Sequence, residues 1–212
     1  MYVPPFNNVT DESQIRAMVS AIASAQLVSL GDDGFPTATL LPILWEGDTV
    51  VAHMARANPH WRALEVSDRV LLICSGPEAY ISPSWYAAKA EHGRVVPTWN
   101  YSAVHLTGAA RVIHDVGWLH TAVDKLTIAH ETGRPEPWHV GDAPQAYISG
   151  QLAGIVGIEI SVTGVQAKAK LSQNRSAADR RGVVDGLRTE SAAQSVADAM
   201  ATGLDSGHRR LD

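Results

Sequence analysis

The residues best suited to ligand chemistry occur in four short segments, and the first of them points to an anion. The segment His53–Trp61 reads HMARANPHW and places the Arg56 guanidinium just before a predicted short helix. Asn58 suits the N-cap of that helix and Pro59 its first position. Because the N–H groups at a helix start attract anions, a phosphate would fit there. An ordinary capped helix with Arg56 in a surface ion pair explains the same residues equally well.

The second and third segments combine aromatic rings with hydroxyl and amide groups. Ala79–Tyr86 reads AYISPSWY, with two serine hydroxyls and three aromatic rings beside a proline. The rings could wall a planar ligand, whereas core packing with a serine capping a helix is the alternative. Val96–Tyr101 reads VPTWNY and opens a strand on which Thr98 and Asn100 share a polar face opposite the aromatic residues.

The fourth segment carries two lysines at the end of the last predicted strand. Lys168–Arg175 reads KAKLSQNR. Side chains alternate along a strand, so Lys168 and Lys170 fall on one face, and a polar turn follows them. A solvated strand end is the simple alternative.

Standard catalytic signatures are absent from the sequence. It contains no GxGxxG, GxxxxGK(S/T), GxSxG, HExxH or paired CxxC motif. The nine histidines are scattered, and no close pair has a carboxylate at ligand spacing, so we predict no metal site. We predict no catalytic residue either, although His53, His60 and His105 lie near the motifs.

Composition narrows the class of protein. The 212 residues, 45% hydrophobic and 18% charged, predict one globular domain with a helical extension. A net charge of −5 excludes a molecule-wide basic field for nucleic acid. Cys74 lies in an apolar run and is predicted to be a buried hydrophobe, which fits a cytoplasmic location. The sequence shows no signal peptide and no apolar run of the ~18 residues that span a bilayer, so we expect neither export nor membrane insertion.

Apolar periodicity predicts a mainly β chain with helices, an α+β class. The pattern gives a helix after Thr10–Ser13, a hairpin through Gly31–Pro36, a short helix from Asn58, a helix over Asp115–His130, and strands at Thr49–Met54, Arg69–Ser75, Thr98–His114 and Ile155–Lys168. Antiparallel pairing of such strands favours a partly closed barrel with covering helices over a doubly wound sheet.

The chain is expected to divide near residue 172. A barrel domain over 1–172 precedes a helical extension over 173–204 and a frayed tail over 205–212. Helical spacing of apolar residues supports the extension, at Val183, Leu187, Val196 and Met200.

Together the four segments resemble the ordered hallmarks of the PaiB-like FMN-binding negative transcriptional regulators. The similarity includes the MYVPPF start and the IVGIEI strand, and it spans roughly residues 1 to 188. It implies a Greek-key-like split β-barrel similar to that of pyridoxamine-phosphate oxidases, a homodimer, and FMN in a cleft between subunits.

The resemblance also implies which side chains hold FMN. FMN offers a phosphate, a polar ribityl chain and an amphipathic ring system. Arg56 and Asn58, with His53 nearby, are assigned to the phosphate. The remaining assignments are Ser82, Trp85, Thr98 and Asn100 to the ribityl and ring region, and Lys170, Ser172 and Gln173 to the pyrimidine edge.

Three classes of function remain open, since one fold hosts many activities. The resemblance favours a flavin-responsive repressor. An FMN-dependent oxidoreductase, or a haem-handling protein of the same fold, is the alternative, and a binding or structural dimer is the third. No helix-turn-helix pattern is apparent, so any DNA contact is expected at a local cluster that acidic residues dilute, Arg175, Arg180, Arg181 and Arg188.

Overall fold

The structure, a computed structural model, describes residues 1–31, 33–189 and 193–207. The strands are β1 (Asn8–Val9), β2 (Ser24–Leu30), β3 (Pro36–Pro42), β4 (Leu44–Glu46), β5 (Thr49–Ala55), β6 (Arg69–Ile81), β7 (Thr98–Ile113) and β8 (Ile155–Lys170). The helices are α1 (Glu12–Ile22), α2 (His60–Val66), α3 (Ala88–His92), α4 (Val116–Glu131), α5 (Gln145–Ala153), α6 (Ala177–Thr189) and α7 (Gln194–Gly207). None of the helices within the described ranges is long and apolar enough to cross a membrane.

The strands form an antiparallel sheet, as predicted. Their order is β3-β2-β6-β7-β8-β5-β4, and β1 pairs with β8. The predicted hairpin is confirmed as β2 and β3, which pair from Ser24 opposite Pro42 to Leu30 opposite Pro36. Of its predicted turn, Asp32 lies outside the described residues.

Most predicted elements are confirmed, but one strand is much longer than predicted. We expected a strand to end at Ser75, whereas β6 continues to Ile81 and takes in part of the AYISPSWY segment. Gly76 and Pro77 interrupt the apolar run in the sequence. In the structure a Cβ on Gly76 would overlap the Ser102 hydroxyl, so the glycine permits a close approach inside the strand.

The chain forms two compact units, each built from separate segments. The first unit contains Met1–Asp11, Ser75–Ala103 and Gln166–Asp212, and the second contains Glu12–Cys74 and Val104–Val165. The predicted boundary at residue 172 falls inside the first unit, so the division into 1–172 and 173–204 stays a prediction. Helix α7 continues through Gly207, into the segment predicted as a tail over 205–212, and residues 208–212 lie outside the described residues.

The second unit is built around the sheet and α4. Asp115 caps α4 by accepting a 2.7 Å hydrogen bond from the Trp118 backbone N–H. The buried face of α4 includes Leu119, which packs with Leu152 of α5. Cys74 is fully buried, as predicted, and burial raises the pKa of its thiol to about 12.

The core of the first unit joins α6 and α7 to the end of β6. Val183 and Leu187 of α6 cluster with Met200 of α7 and Ile81 of β6, and all four are at most 1% exposed. The helical spacing predicted after residue 172 is therefore confirmed. Trp85 packs against this cluster so closely that a Cβ at Gly182 would overlap the Trp85 carbonyl oxygen.

This close approach predicts that Gly182→Ala destabilises the protein. Alanine normally favours a helix by up to about 1 kcal/mol over glycine, but overpacking against a backbone carbonyl costs about 1–3 kcal/mol. Gly150→Ala in α5 is the matched control, because a Cβ there meets nothing within 4 Å. Chemical denaturation should show a lower unfolding free energy for Gly182→Ala and an equal or higher one for Gly150→Ala. Equal stabilisation by both substitutions would contradict this packing.

Candidate functional site

The first unit contains a cavity of about 400 Å³, a size typical of small-molecule sites. Four of the predicted FMN residues line it, namely Thr98, Asn100, Lys170 and Ser172. The other lining residues come from the N-terminal segment and from the ends of β7 and β8: Tyr2, Pro4, Phe6, Asn7, Val96, Pro97, Lys168, Asn174 and Arg175. The structure therefore brings the third and fourth motifs together.

A buried amide and hydroxyl hold the turn after β8 against β7. Asn100 is fully buried, and its Nδ2 donates to Ser172 Oγ at 3.0 Å. Ser172 Oγ also lies 3.2 Å from Asn100 Oδ1, to which it can donate. Ser172 has a φ of 62°, a left-handed backbone that is uncommon for residues other than glycine. The polar face predicted for β7 thus faces the protein interior, whereas Trp99 is 46% exposed.

Neutral oxygens bind the two lysines of the cavity. Lys170 Nζ donates to Thr98 Oγ1 at 2.6 Å and to the Trp99 carbonyl. Lys168 Nζ donates to the Tyr101 hydroxyl at 2.6 Å and to the Tyr2 carbonyl at 3.2 Å. Burial lowers the pKa of the Lys170 ammonium from its ordinary value; Tyr101 opposes this change and the like charge of Lys168 adds to it.

The cavity is positively charged. Lys168, Lys170 and Arg175 line it, and none of the described residues that line it is Asp or Glu. A concave surface with cations, hydroxyls, amides and aromatic rings suits an anionic ligand with a planar apolar part.

Three of the predicted residues of the first unit lie elsewhere. Ser82 caps a short 3₁₀ turn by accepting from the Ser84 N–H at 3.2 Å, and Trp85 packs on the α6 cluster. Gln173 bonds its own backbone, accepting from the Leu171 N–H at 2.7 Å and donating to the Ala169 carbonyl. None of the three lines the cavity, so their contacts with FMN stay predictions.

In the second unit, the Arg56 side chain donates hydrogen bonds to backbone carbonyls of the protein. Its Nε donates to the Ala153 carbonyl at 2.9 Å and its Nη2 to the Ile155 carbonyl at 3.0 Å. Nη1 lies 3.4 Å from His114 Nδ1. The guanidinium therefore ties the segment before α2 to the start of β8, and its predicted phosphate contact would be added to these bonds.

Asn58 and His60 anchor α2 to the β2–β3 hairpin. Asn58 Oδ1 accepts from the His60 N–H at 3.0 Å, and its Nδ2 donates to Thr39 Oγ1 at 3.2 Å. The His60 ring nitrogens lie 2.9 Å from Ser29 Oγ and 2.8 Å from Thr39 Oγ1. Helix α2 begins at His60, one residue later than predicted, because Pro59 occupies the capping position.

His53 lines a cavity that the other two predicted phosphate residues, Arg56 and Asn58, do not line. This second-unit cavity has a volume of about 300 Å³, and Leu126 and Trp138 also line it. Its Nδ1 is buried with no hydrogen-bond partner among the described residues, and burial lowers the pKa of the imidazole.

The sequence reasoning missed several residues of the first-unit cavity. Tyr2 and Phe6 line it from the N-terminal segment, and Arg175 from the turn after β8. The MYVPPF and KLSQNR motifs contained these residues, but nothing in either motif shows that distant segments meet. For the same reason, the motifs did not predict the hydrogen bond between Lys168 and Tyr101.

The comparisons with known proteins identify the family of the chain. The sequence model of the family described as "Putative FMN-binding domain" matches residues 1–164. The "Protease synthase and sporulation protein PAI 2" of Bacillus subtilis is 34% identical over 197 residues, which cover 90% of each chain. The chain therefore belongs to this FMN-binding family, which confirms the predicted resemblance to PaiB-like proteins.

Solved structures confirm the predicted split β-barrel fold class. The FAD and heme binding protein of Mycobacterium smegmatis superimposes with a TM-score of 0.61 at 17% identity, over 82% of this chain and 78% of that one. The flavocytochrome Anf3 of Azotobacter vinelandii gives 0.57 at 20% identity, over 79% and 72%.

The residues of the first-unit cavity fit FMN, the cofactor of the family. Thr98, Asn100 and Ser172 offer hydroxyl and amide groups, Lys170 offers a cation, and Tyr2 offers an aromatic surface. FMN, when bound, supplies a redox-active ring. The Lys170 ammonium, held by Thr98, would place positive charge against that ring.

Two histidines of the second unit, the buried His60 and the partly buried His53, predict a loss of stability in acid. Burial lowers the pKa of His53 and of His60 in the folded state, so the unfolded chain binds more protons as the pH falls below about 6.5. The unfolding free energy is therefore highest above that pH and decreases through the folded-state pKa values.

Denaturant titrations between pH 8 and pH 5 measure this decrease. His60→Gln should reduce the slope, because one of the histidines whose pKa burial lowers, His53, His60 and His105, no longer titrates. His120→Gln, at an exposed position on α4, is the control and should leave the slope unchanged. A slope that His60→Gln does not alter would contradict the assignment.

Proposed function

We propose that the protein is an FMN-binding negative transcriptional regulator of the PaiB-like type. The observation that carries this proposal is the convergence of Thr98, Asn100, Lys170 and Ser172 on one cationic cavity. The sequence resemblance supports the regulatory role, and membership of the FMN-binding family supports the cofactor.

In this proposal each residue keeps the role that its motif predicts. Lys170 and Ser172 face the pyrimidine edge, and Thr98 and Asn100 face the ribityl chain and ring. Ser82, Trp85 and Gln173 keep the roles predicted from the motifs. Arg56 and Asn58, with His53 nearby, take the phosphate.

We further propose a homodimer with FMN between subunits. Exposed aromatic rings support association: in the first unit Tyr80 and Trp99 are 51% and 46% exposed, and their ring centroids lie 6.5 Å apart. In the second unit the β2–β3 hairpin exposes Phe35 and Leu40 by 72% and 62%. Large exposed apolar side chains of this kind are typical of interfaces.

The predicted local DNA contact has few exposed cations. Of the four predicted arginines, Arg175 lines the cavity and Arg180 has a buried Nε without a partner among the described residues. Arg181 and Arg188 are exposed on α6, but the exposed Asp185 lies between them in sequence. Two arginines with an intervening carboxylate attract phosphate poorly.

A lysine substitution tests the FMN site. Lys170→Met removes a charge-assisted hydrogen bond, which we expect to weaken FMN about tenfold, the equivalent of about 1.4 kcal/mol. Lys89→Met, an exposed lysine of the same unit that does not line the cavity, is the matched control. Titration with FMN and with riboflavin, followed by flavin fluorescence, measures both.

The same titration tests the phosphate assignment. Arg56→Ala should weaken FMN and leave riboflavin unchanged, whereas Lys170→Met should weaken both flavins. Thermal unfolding confirms that each variant is folded. A wild-type protein that binds neither flavin would refute the proposed function.

A mobility-shift assay tests direct DNA binding. We expect weak or no binding to random duplex and a shift, at low salt, only with the region upstream of the protein's own gene. Arg181→Gln with Arg188→Gln should lower that affinity and flatten its salt dependence, and Lys89→Met again serves as the control. Unchanged migration of every duplex at low salt would remove direct DNA binding from the proposal. Sedimentation of the same sample reports whether the protein is a dimer.

Lys170 favours one second candidate, an FMN-dependent oxidoreductase. A cation beside a flavin stabilises the negative charge that reduction adds to the ring. Rapid reduction of bound FMN by NADPH would favour this candidate, and the absence of reduction would favour the regulator.

A further inference from the structure

The first-unit cavity holds more positive charge than the FMN assignment uses. Lys170 accounts for one cation at the flavin ring, but Lys168 and Arg175 line the same cavity and belong to no predicted FMN contact. Neither residue has an ion-pair partner among the described residues, in which five ion pairs occur.

Lys168 is a nearly buried ammonium without a counterion. It is 7% exposed and its Nζ is held by the Tyr101 hydroxyl and the Tyr2 carbonyl. Nζ also lies 4.9 Å from the Tyr101 ring centroid, a cation–π contact. These neutral groups orient the ammonium but leave its charge uncompensated, which is costly for a buried cation.

Arg175 is fixed in place by a buried ring. Its guanidinium carbon lies 4.6 Å from the centroid of Tyr86, which is 3% exposed. The backbone N–H of Arg175 donates to the Ser172 carbonyl at 3.0 Å, so the turn after β8 is also fixed. A stacked guanidinium presents its planar edge, the geometry that binds phosphate or carboxylate with two hydrogen bonds.

The nearest acidic residue in sequence does not neutralise this pair. Asp179 is 4% exposed, but its Oδ1 accepts from the Ala88 N–H at 2.9 Å, and it does not line the cavity. Tyr2 and Phe6, 82% and 57% exposed, supply aromatic surface at the same cavity.

We propose that Lys168 and Arg175 form an oxyanion subsite for a second small molecule, whose phosphate or carboxylate is attached to a planar or aromatic body. This ligand is an effector of the protein and is separate from FMN. The inference goes beyond the proposed function, because the binding of such an anion does not require flavin.

Phenyl phosphate and benzoate are suitable probes of this subsite. Calorimetric titration of the full chain, first without FMN and then with FMN added, should show saturable binding that weakens with salt in both cases. Arg175→Gln should weaken the probes at least about tenfold, because a charge-assisted pair of hydrogen bonds is lost. Arg94→Gln makes the same change at an exposed residue of the same unit outside the cavity, and should have no effect.

Lys168→Met is a second variant and should also weaken both probes, with thermal unfolding as the check on folding. The absence of probe binding to the wild-type chain would overturn the inference. A second result would also overturn the inference: phenyl phosphate competes with FMN, and Arg175→Gln weakens the binding of FMN but not of riboflavin. The oxyanion bound at the subsite would then be the phosphate of FMN itself. Failure of FMN to bind, with probe binding intact, would refute the proposed function and leave the subsite standing.

Discussion

The first-unit cavity depends on the buried hydrogen bonds between Asn100 and Ser172. They join β7 to the turn after β8, and Asn100 Nδ2 also lies 3.4 Å from Met200 Sδ of α7. Ser172 adopts a left-handed backbone that is unfavourable for a serine by about 1 kcal/mol or more, so the surrounding bonds must over-determine it. Gln173 contributes through its side-chain amide, which accepts from the Leu171 N–H and donates to the Ala169 carbonyl. Because this turn is fixed, Lys170 before it and Arg175 after it hold defined positions at one cavity.

The positive charges at this cavity lower the stability of the folded chain. A buried ammonium is stabilised by a carboxylate partner, and Lys168 has neutral partners instead. Lys168 and Lys170 also lie two residues apart on one face of β8, so they repel each other. Sequences tolerate such local conflicts mainly at functional sites, where a ligand supplies the missing charge. The conflict is therefore a better indicator of binding than the shape of the cavity.

Sequence patterns predicted the elements well where one face of an element is buried. Ile15 and Val19 mark the buried face of α1, and the alternation in β7 and β8 placed Lys168 and Lys170 together, as the shared cavity confirms. The extension of β6 was missed because Gly76 reads as a break in the strand. Its role is to let the chain approach Ser102 closely, a tertiary contact that the sequence does not show. Polar residues were harder to interpret, since a side chain that binds a ligand and one that binds backbone have the same composition. Gln173 and Asn58 both bond other groups of the protein, and no spacing rule distinguishes those bonds from contacts with FMN.

The net charge of the chain affects the binding of DNA and the binding of a small anion differently. The chain carries −5 overall, so its long-range field repels both DNA and small anions. A small ligand overcomes that field through short contacts inside a partly desolvated cavity, where Lys170 and Arg175 act at close range and salt screens little. DNA requires an exposed array of cations along its backbone, and Arg181 and Arg188 with Asp185 between them are a sparse array. A homodimer would double that array by presenting two copies of α6. The oligomeric state therefore determines whether direct repression is physically feasible. The affinity of each cavity for a small anion, by contrast, is set by the contacts within the cavity.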